Sequence, residues 1–375
     1  MSTVQQGAAV APDGSAAGRT SIAAPAATVD IAASAAPRRS SGHRLLMRVL
    51  RTLFLSEYVV LVLTGLYVLC LMPIVPEIAS LDTAQEVLVA MLPLLILAIG
   101  QTFVLVIAGI DLSITSTIAM SSVVAASIMT ADGGYLGASA LAVPAGVAAF
   151  LLVGLAVGAA NGFCTTLLGM PAFMVTLVGQ TLLSGAAIWY TSFHSTSTSI
   201  GDLPDGFIAI GSGDIFGLNW AFVVAAVVAL VAHYLLARSI LGRWLFAIGQ
   251  NPRAALVSGV PVKRTMLAAY MLCAVCAAIA SIIYTGRLET GTPVLGQRIL
   301  LDVIGAAVIG GVSLFGGKGK VLWVVFGVLF LSVIDKGLQL LGLSQFVVFA
   351  VKGGVILLAA ILDALRNRFL VGVRA

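Results

Sequence analysis

The chain has 375 residues, 60% of them hydrophobic and only 9% charged, where a soluble protein carries about 25% charged residues. Its mean hydropathy of +1.11 leaves too little polar surface to cover a water-soluble body. That excludes a secreted disulfide scaffold, a nucleic-acid-binding domain and a cytosolic enzyme. Lipid is the solvent for most of the chain. At about 20 apolar residues per spanning helix, its length accommodates about ten spans, so the expected fold is all-α and polytopic.

Residues 1–42 come first. They are rich in Ala, Ser, Pro and Gly without sustained periodicity, and read as a disordered cytoplasmic tail. Arg38, Arg39, Arg44, Arg48 and Arg51 follow the alanine-rich run instead of preceding it, which is the reverse of a signal peptide. They anchor the start of a membrane domain, 43–375. Charge-poor windows predict spans at Tyr58–Pro76, Val87–Ile110 and Leu112–Ala131. Residues 133–201 contain no Asp, Glu, Lys or Arg, enough for two spans with a turn near Asn161–Pro171. A sixth span is predicted over Ile215–Ala237 and a seventh over Thr265–Gly286. Three shorter ones follow at Val303–Gly317, Val321–Ile334 and Phe346–Leu362, the last containing Lys352.

Ten spans return both termini to one side. With the tail in the cytoplasm, the cytoplasmic segments are the tail, 238–264, 317–320 and 364–375. They hold sixteen of the twenty Lys and Arg residues. The positive-inside rule counts those two residue types and supports this orientation. Spans 3–5 also echo spans 8–10. Asp111 opens the third span and Gly133-Gly134 follows it; Asp302 opens the eighth and Gly316-Gly317 follows. Such a pattern fits an inverted five-plus-five repeat, a common plan for transporters. The spacings of 22 and 14 residues differ, which leaves chance similarity in glycine-rich sequence as the alternative.

Cys70, Cys164, Cys273 and Cys276 all lie in apolar stretches. The Cys273-x-x-Cys276 pair has no second pair to complete a metal site, so packing is the better reading. The segment 238–264 is the longest cytoplasmic link between spans. Asn251 and Pro252 fit a helix start, as cap and first residue. Arg253–Ser258 then forms a short helix that Gly259 terminates. Ala254 and Ala255 would allow close approach by another protein. A solvated basic loop that only fixes topology is the other reading, and the residues leave both open.

The segment Gly242–Val260 resembles the G-R-x-x-x-A-I-G-x-N-x-x-A-A-x-x-S-G-[IV] signature of the membrane permeases of bacterial ABC sugar importers, the ribose-transporter type. Four further motifs agree in order. Gly109-Ile-Asp-Leu-Ser113 is similar to G-G-I-D-L-S, Gly158–Gly162 to G-x-x-N-G, and Pro171–Leu177 to P-[PA]-F-[IM]-x-T-L. Leu301–Gly319 is similar to the late glycine-rich segment. The resemblance covers about residues 55–363. Departures are Ala108 where glycine is commoner, Ile114-Thr115 for Val-Gly, Gly305 for alanine and Lys336 for asparagine.

The resemblance implies a permease subunit that moves a sugar-like solute into the cytoplasm by alternating access. It implies a bacterial inner-membrane location, a cytoplasmic ATPase partner, a second permease copy or paralogue, and a periplasmic solute-binding protein. It implies no cofactor. The coupling segment that docks on the ATPase would comprise Gly242, Arg243, Gly249, Asn251, Pro252, Arg253, Ala254, Ala255, Ser258 and Gly259. More distant relatives carry nucleosides or branched-chain amino acids, which is the alternative for the substrate.

Candidate pathway residues are Gln101, Asp111, Ser113, Asn161, Phe173, Thr176 and Asp302. An ionised carboxylate in lipid needs a partner or a wet cavity, so Asp111 either lines a helix break on the pathway or caps a helix. Asp302 carries the same two readings. Gln101, Asn161 and Thr176 can bond a passing hydroxyl or a neighbouring helix. Phe173 can stack on a sugar ring or pack. Lys336 and Lys352 are expected to snorkel at helix ends. The Gly311–Gly319 segment fails as a P-loop because Val312 and Gly319 occupy the required Gly and Ser/Thr positions. The chain itself is therefore not expected to bind ATP. An ion-driven secondary transporter is the rival class, but it calls for carboxylate or histidine relays deep in spans, and those are scarce here.

Overall fold

The computed structural model describes residues 58–372, apart from positions 138 and 216. The predicted tail, 1–42, and its basic cluster lie outside the described residues. Those described form thirteen helices, a one-turn 3-10 helix at Pro76–Ala79, and a single hairpin of two-residue strands, β1 (Asp214–Ile215) and β2 (Leu218–Asn219). The helices are α1 (Val59–Leu71), α2 (Leu81–Val106), α3 (Ile114–Met129), α4 (Ala142–Thr166), α5 (Ala172–His194), α6 (Asp205–Ser212) and α7 (Trp220–Ala237). Then come α8 (Ile240–Gln250), α9 (Pro252–Val257), α10 (Val262–Leu288), α11 (Leu300–Gly310), α12 (Val321–Leu340) and α13 (Gln345–Gly372).

Six of these, α2, α4, α5, α7, α10 and α12, are long and apolar enough to cross a membrane. The shorter apolar helices α1, α3, α11 and the start of α13 fill the remaining predicted positions. The molecule is all-α and polytopic, as its composition requires.

α2 and α10 are mostly buried, whereas α5 and α7 expose most of their length. The exposed surface is apolar: Leu182, Trp189 and Phe193 on α5, and Leu230 and Val231 on α7. Such a surface suits hydrocarbon, not water. Association of helices in lipid relies on close packing, and a glycine stripe on α4 provides it. A methyl group on Gly154, Gly158 or Gly162 would stand 2.6–2.7 Å from Ala274, Met271 or Leu267 of α10. Cys273 and Cys276 are buried where α10 meets Gly100 of α2, in agreement with the packing role. Buried hydroxyls add cross-links: Ser281 donates to the Ile118 carbonyl (2.8 Å), and Ser122 pairs with Thr285 (2.7 Å).

The turn after the fourth span, residues 167–171, falls within the expected Asn161–Pro171, with α4 running straight through Asn161 and Gly162, which are buried against neighbours. Two elements differ from expectation. Residues 240–250 form a helix instead of a loop; Ser239 Oγ caps it by accepting from Gly242 N–H (3.1 Å), and Leu245 and Ile248 are buried. The link between α5 and α7 contains α6, which packs on α10.

Candidate functional site

α2 ends at Val106 and α3 begins at Ile114, leaving a break over residues 107–113 in the interior. Five of the residues nominated from sequence converge there. Asp111 is fully buried, and its Oδ1 accepts from Ser113 N–H (2.9 Å) and Ser113 Oγ–H (2.7 Å). Ser113 Oγ in turn accepts from Asn161 Nδ2 of α4 (2.7 Å). Gln101 of α2, with its carboxamide oriented to satisfy both atoms, pairs with the Asp111 peptide: its nitrogen donates to the carbonyl (3.2 Å) and its oxygen accepts from the N–H (3.1 Å). Thr176 of α5 donates to the Ile110 carbonyl (3.2 Å). The unwound backbone is thus held by side chains from three neighbouring helices, as a non-helical segment buried in protein requires. Asp111 Oδ2, Tyr270 Oη and Thr165 Oγ1 are buried here without a hydrogen-bond partner.

The same break abuts the α8–α9 segment. Gly317 N–H, in the turn between α11 and α12, donates to the Val106 carbonyl (2.8 Å). A methyl group on Gly249 would collide with the Val106 carbonyl oxygen and stand 2.5 Å from Gly317 N. One on Gly316 would stand 2.9 Å from Ala108 N and 3.0 Å from Gly249 O. Three backbones, the end of α2, the end of α8 and the α11–α12 turn, therefore meet closely, with Ala108 Cβ and Gln250 Cγ also at the contact.

Beyond this joint, Asn251 Oδ1 accepts from Arg253 N–H (3.0 Å) and Ala254 N–H (3.1 Å), and Pro252 opens α9. Gly259, at φ +82°, ends it, with Val260 N–H donating to the Ala255 carbonyl (3.0 Å). Gly242 and Ala255 face inward and are buried; Arg243, Arg253, Ala254 and Ser258 are exposed. The outer surface of α9 carries Leu256 and Val257, 64% and 90% exposed. Sequence reasoning singled out the alanines and missed this apolar pair, although two large apolar residues on a short capped helix in a basic segment were a visible signal.

The last two nominated residues lie elsewhere. Phe173 is on the exposed face of α5, 54% accessible. Asp302 is neither a cap nor near the break. Its Oδ2 accepts from Lys352 Nζ of α13 (2.7 Å), and Asp335 Oδ1 is 3.2 Å from the same nitrogen. Lys352 is buried by these contacts and does not snorkel. Lys336 pairs with Glu86 of α2. Lys352 inside an apolar span is a local mark of this network, but its partners come from other helices.

Comparison with known proteins accords with this architecture. The family pattern described as branched-chain amino acid transport system / permease component matches residues 83–360. The ribose import permease of Escherichia coli K12 is 37% identical over 268 residues, 72% of this chain and 81% of that protein. The D-allose transport system permease of the same organism is 32% identical, with 73% and 80% covered. The galactose/methyl galactoside import permease of Haemophilus influenzae Rd is 29% identical, with 78% and 89% covered. No solved structure matches the chain. The chain belongs to the family of permease components of ATP-binding-cassette importers. It is a multi-pass membrane permease subunit, a transport component and not an enzyme.

Proposed function

We propose that two such subunits, identical or paralogous, form the membrane pathway of an importer for a sugar or related small polar solute. A cytoplasmic ATPase bound at α9 drives alternating access, and a periplasmic binding protein delivers solute to the opposite face. Both termini and the α8–α9 segment then lie in the cytoplasm. The named relatives, which import ribose, allose and galactosides, support the substrate class.

The observation that carries this reading is the placement of α9. A capped helix presents Leu256 and Val257 outward on the basic side of the molecule, and Gly249 ties its base to the α2–α3 break. An exposed apolar pair on a capped helix suits docking on a protein partner. A push on α9 passes largely through close backbone contacts to the segment that holds Asp111. Gln101, Asp111, Ser113, Asn161 and Thr176 act as the brace of that hinge.

Leu256→Asp and Val257→Asp test the docking surface. Each removes an apolar anchor and is expected to weaken ATPase retention on co-purification about tenfold or more, with uptake falling in parallel and the permease still folded. Uptake in membranes that lack any ATPase would sink the proposal. The family description favours one second reading, a branched-chain amino acid as solute. Uptake of leucine in place of any sugar by the assembled importer would select it.

A further inference from the structure

At the end of the molecule away from the joint, five helices surround a cavity of about 670 Å³. α2 and α12 each have their other end at the Gly249–Gly317 contact, so this cavity lies on the side opposite α9. Its volume is that of a small-molecule site, which runs to about 300–1,000 Å³. Apolar residues such as Val87, Leu94 and Leu331 share the lining, and its charged groups are balanced. Three carboxylates, Glu86, Asp302 and Asp335, stand among three cations, Arg287, Lys336 and Lys352. Fixed charges that cancel give no net preference for an ionic guest. A wall of interleaved acceptors and donors fits a neutral molecule that offers both, which is the chemistry of a polyol.

The ion pairs do not use up these groups. Asp335 Oδ2 accepts from Gln339 Nε2 (2.8 Å). Asp335 Oδ1 is buried, and its charged contact is Lys352 Nζ at 3.2 Å, a nitrogen that Asp302 Oδ2 approaches more closely, at 2.7 Å. A carboxylate oxygen accepts more than one hydrogen bond, so a ligand hydroxyl can bond Asp335 Oδ1 beside Lys352. The Lys352–Asp302 pair also lines a second cavity, about 360 Å³, beside Arg298 and Phe349. The pair is the wall between the two.

We propose that the larger cavity is a binding site, within each subunit, for a neutral polyhydroxylated solute. Asp335 and Gln339 bond adjacent hydroxyls, and Lys352, steadied by Asp302, forms the floor. This rests on the reading that the importer carries sugar-like solutes and adds a site at the face where solute arrives.

The test is saturation-transfer NMR on the purified full chain in lipid nanodiscs, with ribose, allose, galactose and leucine as probes. Transfer to at least one sugar is expected. Asp335→Asn, which keeps the side-chain shape, and Gln339→Ala, at an exposed position, are each expected to reduce it about tenfold, with the permease still folded and the unfolding temperature of the Gln339 variant unchanged. No transfer to any sugar, or transfer that both variants leave intact, overturns the site. If the assembled importer nevertheless takes up one of the sugars in an ATPase-dependent manner, the site fails and the transport reading stands. Transfer to leucine alone overturns both.

Discussion

Ala108 shows how much a single residue matters at the break. Its φ of +60° puts a Cβ where L-residues are disfavoured by about 1–2 kcal/mol. The local hydrogen bonds explain why it is held there. Ala108 N–H donates to the Leu105 carbonyl (2.9 Å) and Gly109 N–H to the Val104 carbonyl (3.0 Å), a helix ending that usually places glycine at this position. Ala108→Gly removes the clash but frees the unfolded chain by about 0.4–1 kcal/mol. The net expectation is a gain of about 0–1.6 kcal/mol, read as a higher unfolding midpoint of the purified permease; a lower midpoint would refute the strain. The resemblance already marked this site, where Gly-Gly is commoner. Asp111 was equally legible, as a charge in a neutral stretch. Its partners Gln101 and Asn161 were not legible as partners, because their contacts cross between helices distant in sequence. The same reason hid Lys352, whose carboxylates sit on α11 and α12. A lysine inside an apolar span could have prompted a search for carboxylates at the same depth.

Hydropathy located the ten apolar helices because each carries its own signal, and Asn251-Pro252 located α9 for the same reason. Contacts between elements have no such local signature. Gly249 reads as one glycine among many, yet it sits where α8 meets α2 and the α11–α12 turn. Gly249→Ala would separate those backbones and break the Gly317 N–H to Val106 carbonyl bond. Since α9 and its cap are untouched, the ATPase should stay bound on co-purification. Transmission through the joint should fail, so that uptake is lost while ATP hydrolysis continues. Gly185→Ala on α5, where an added methyl meets nothing within 4 Å, is the control and should transport normally. Wild-type uptake by the Gly249 variant would show that force does not pass this way.

The charge distribution of the whole chain sets its direction in the bilayer. Segments 238–264 and 317–320 together hold seven Lys and Arg residues and meet at the joint, while the opposite end presents the cavity and the exposed link that follows α3. Lys and Arg in short loops are retained in the cytoplasm, so α9 should face inward and the α3–α4 link outward. Two accessible positions report this independently: Val257, 90% exposed on α9, and Tyr135, 65% exposed on that link. In a background with the exposed Cys70 changed to Ser, Val257→Cys should react with a membrane-impermeant maleimide only in inverted vesicles. Tyr135→Cys should react only in intact spheroplasts. Neither substitution disturbs the buried core, and with the permease expressed without its ATPase, which would cover Val257, labelling depends on sidedness alone. The opposite pattern would place the apolar pair of α9 outside the cell, out of reach of any ATPase, and would remove the basis for energy coupling through it.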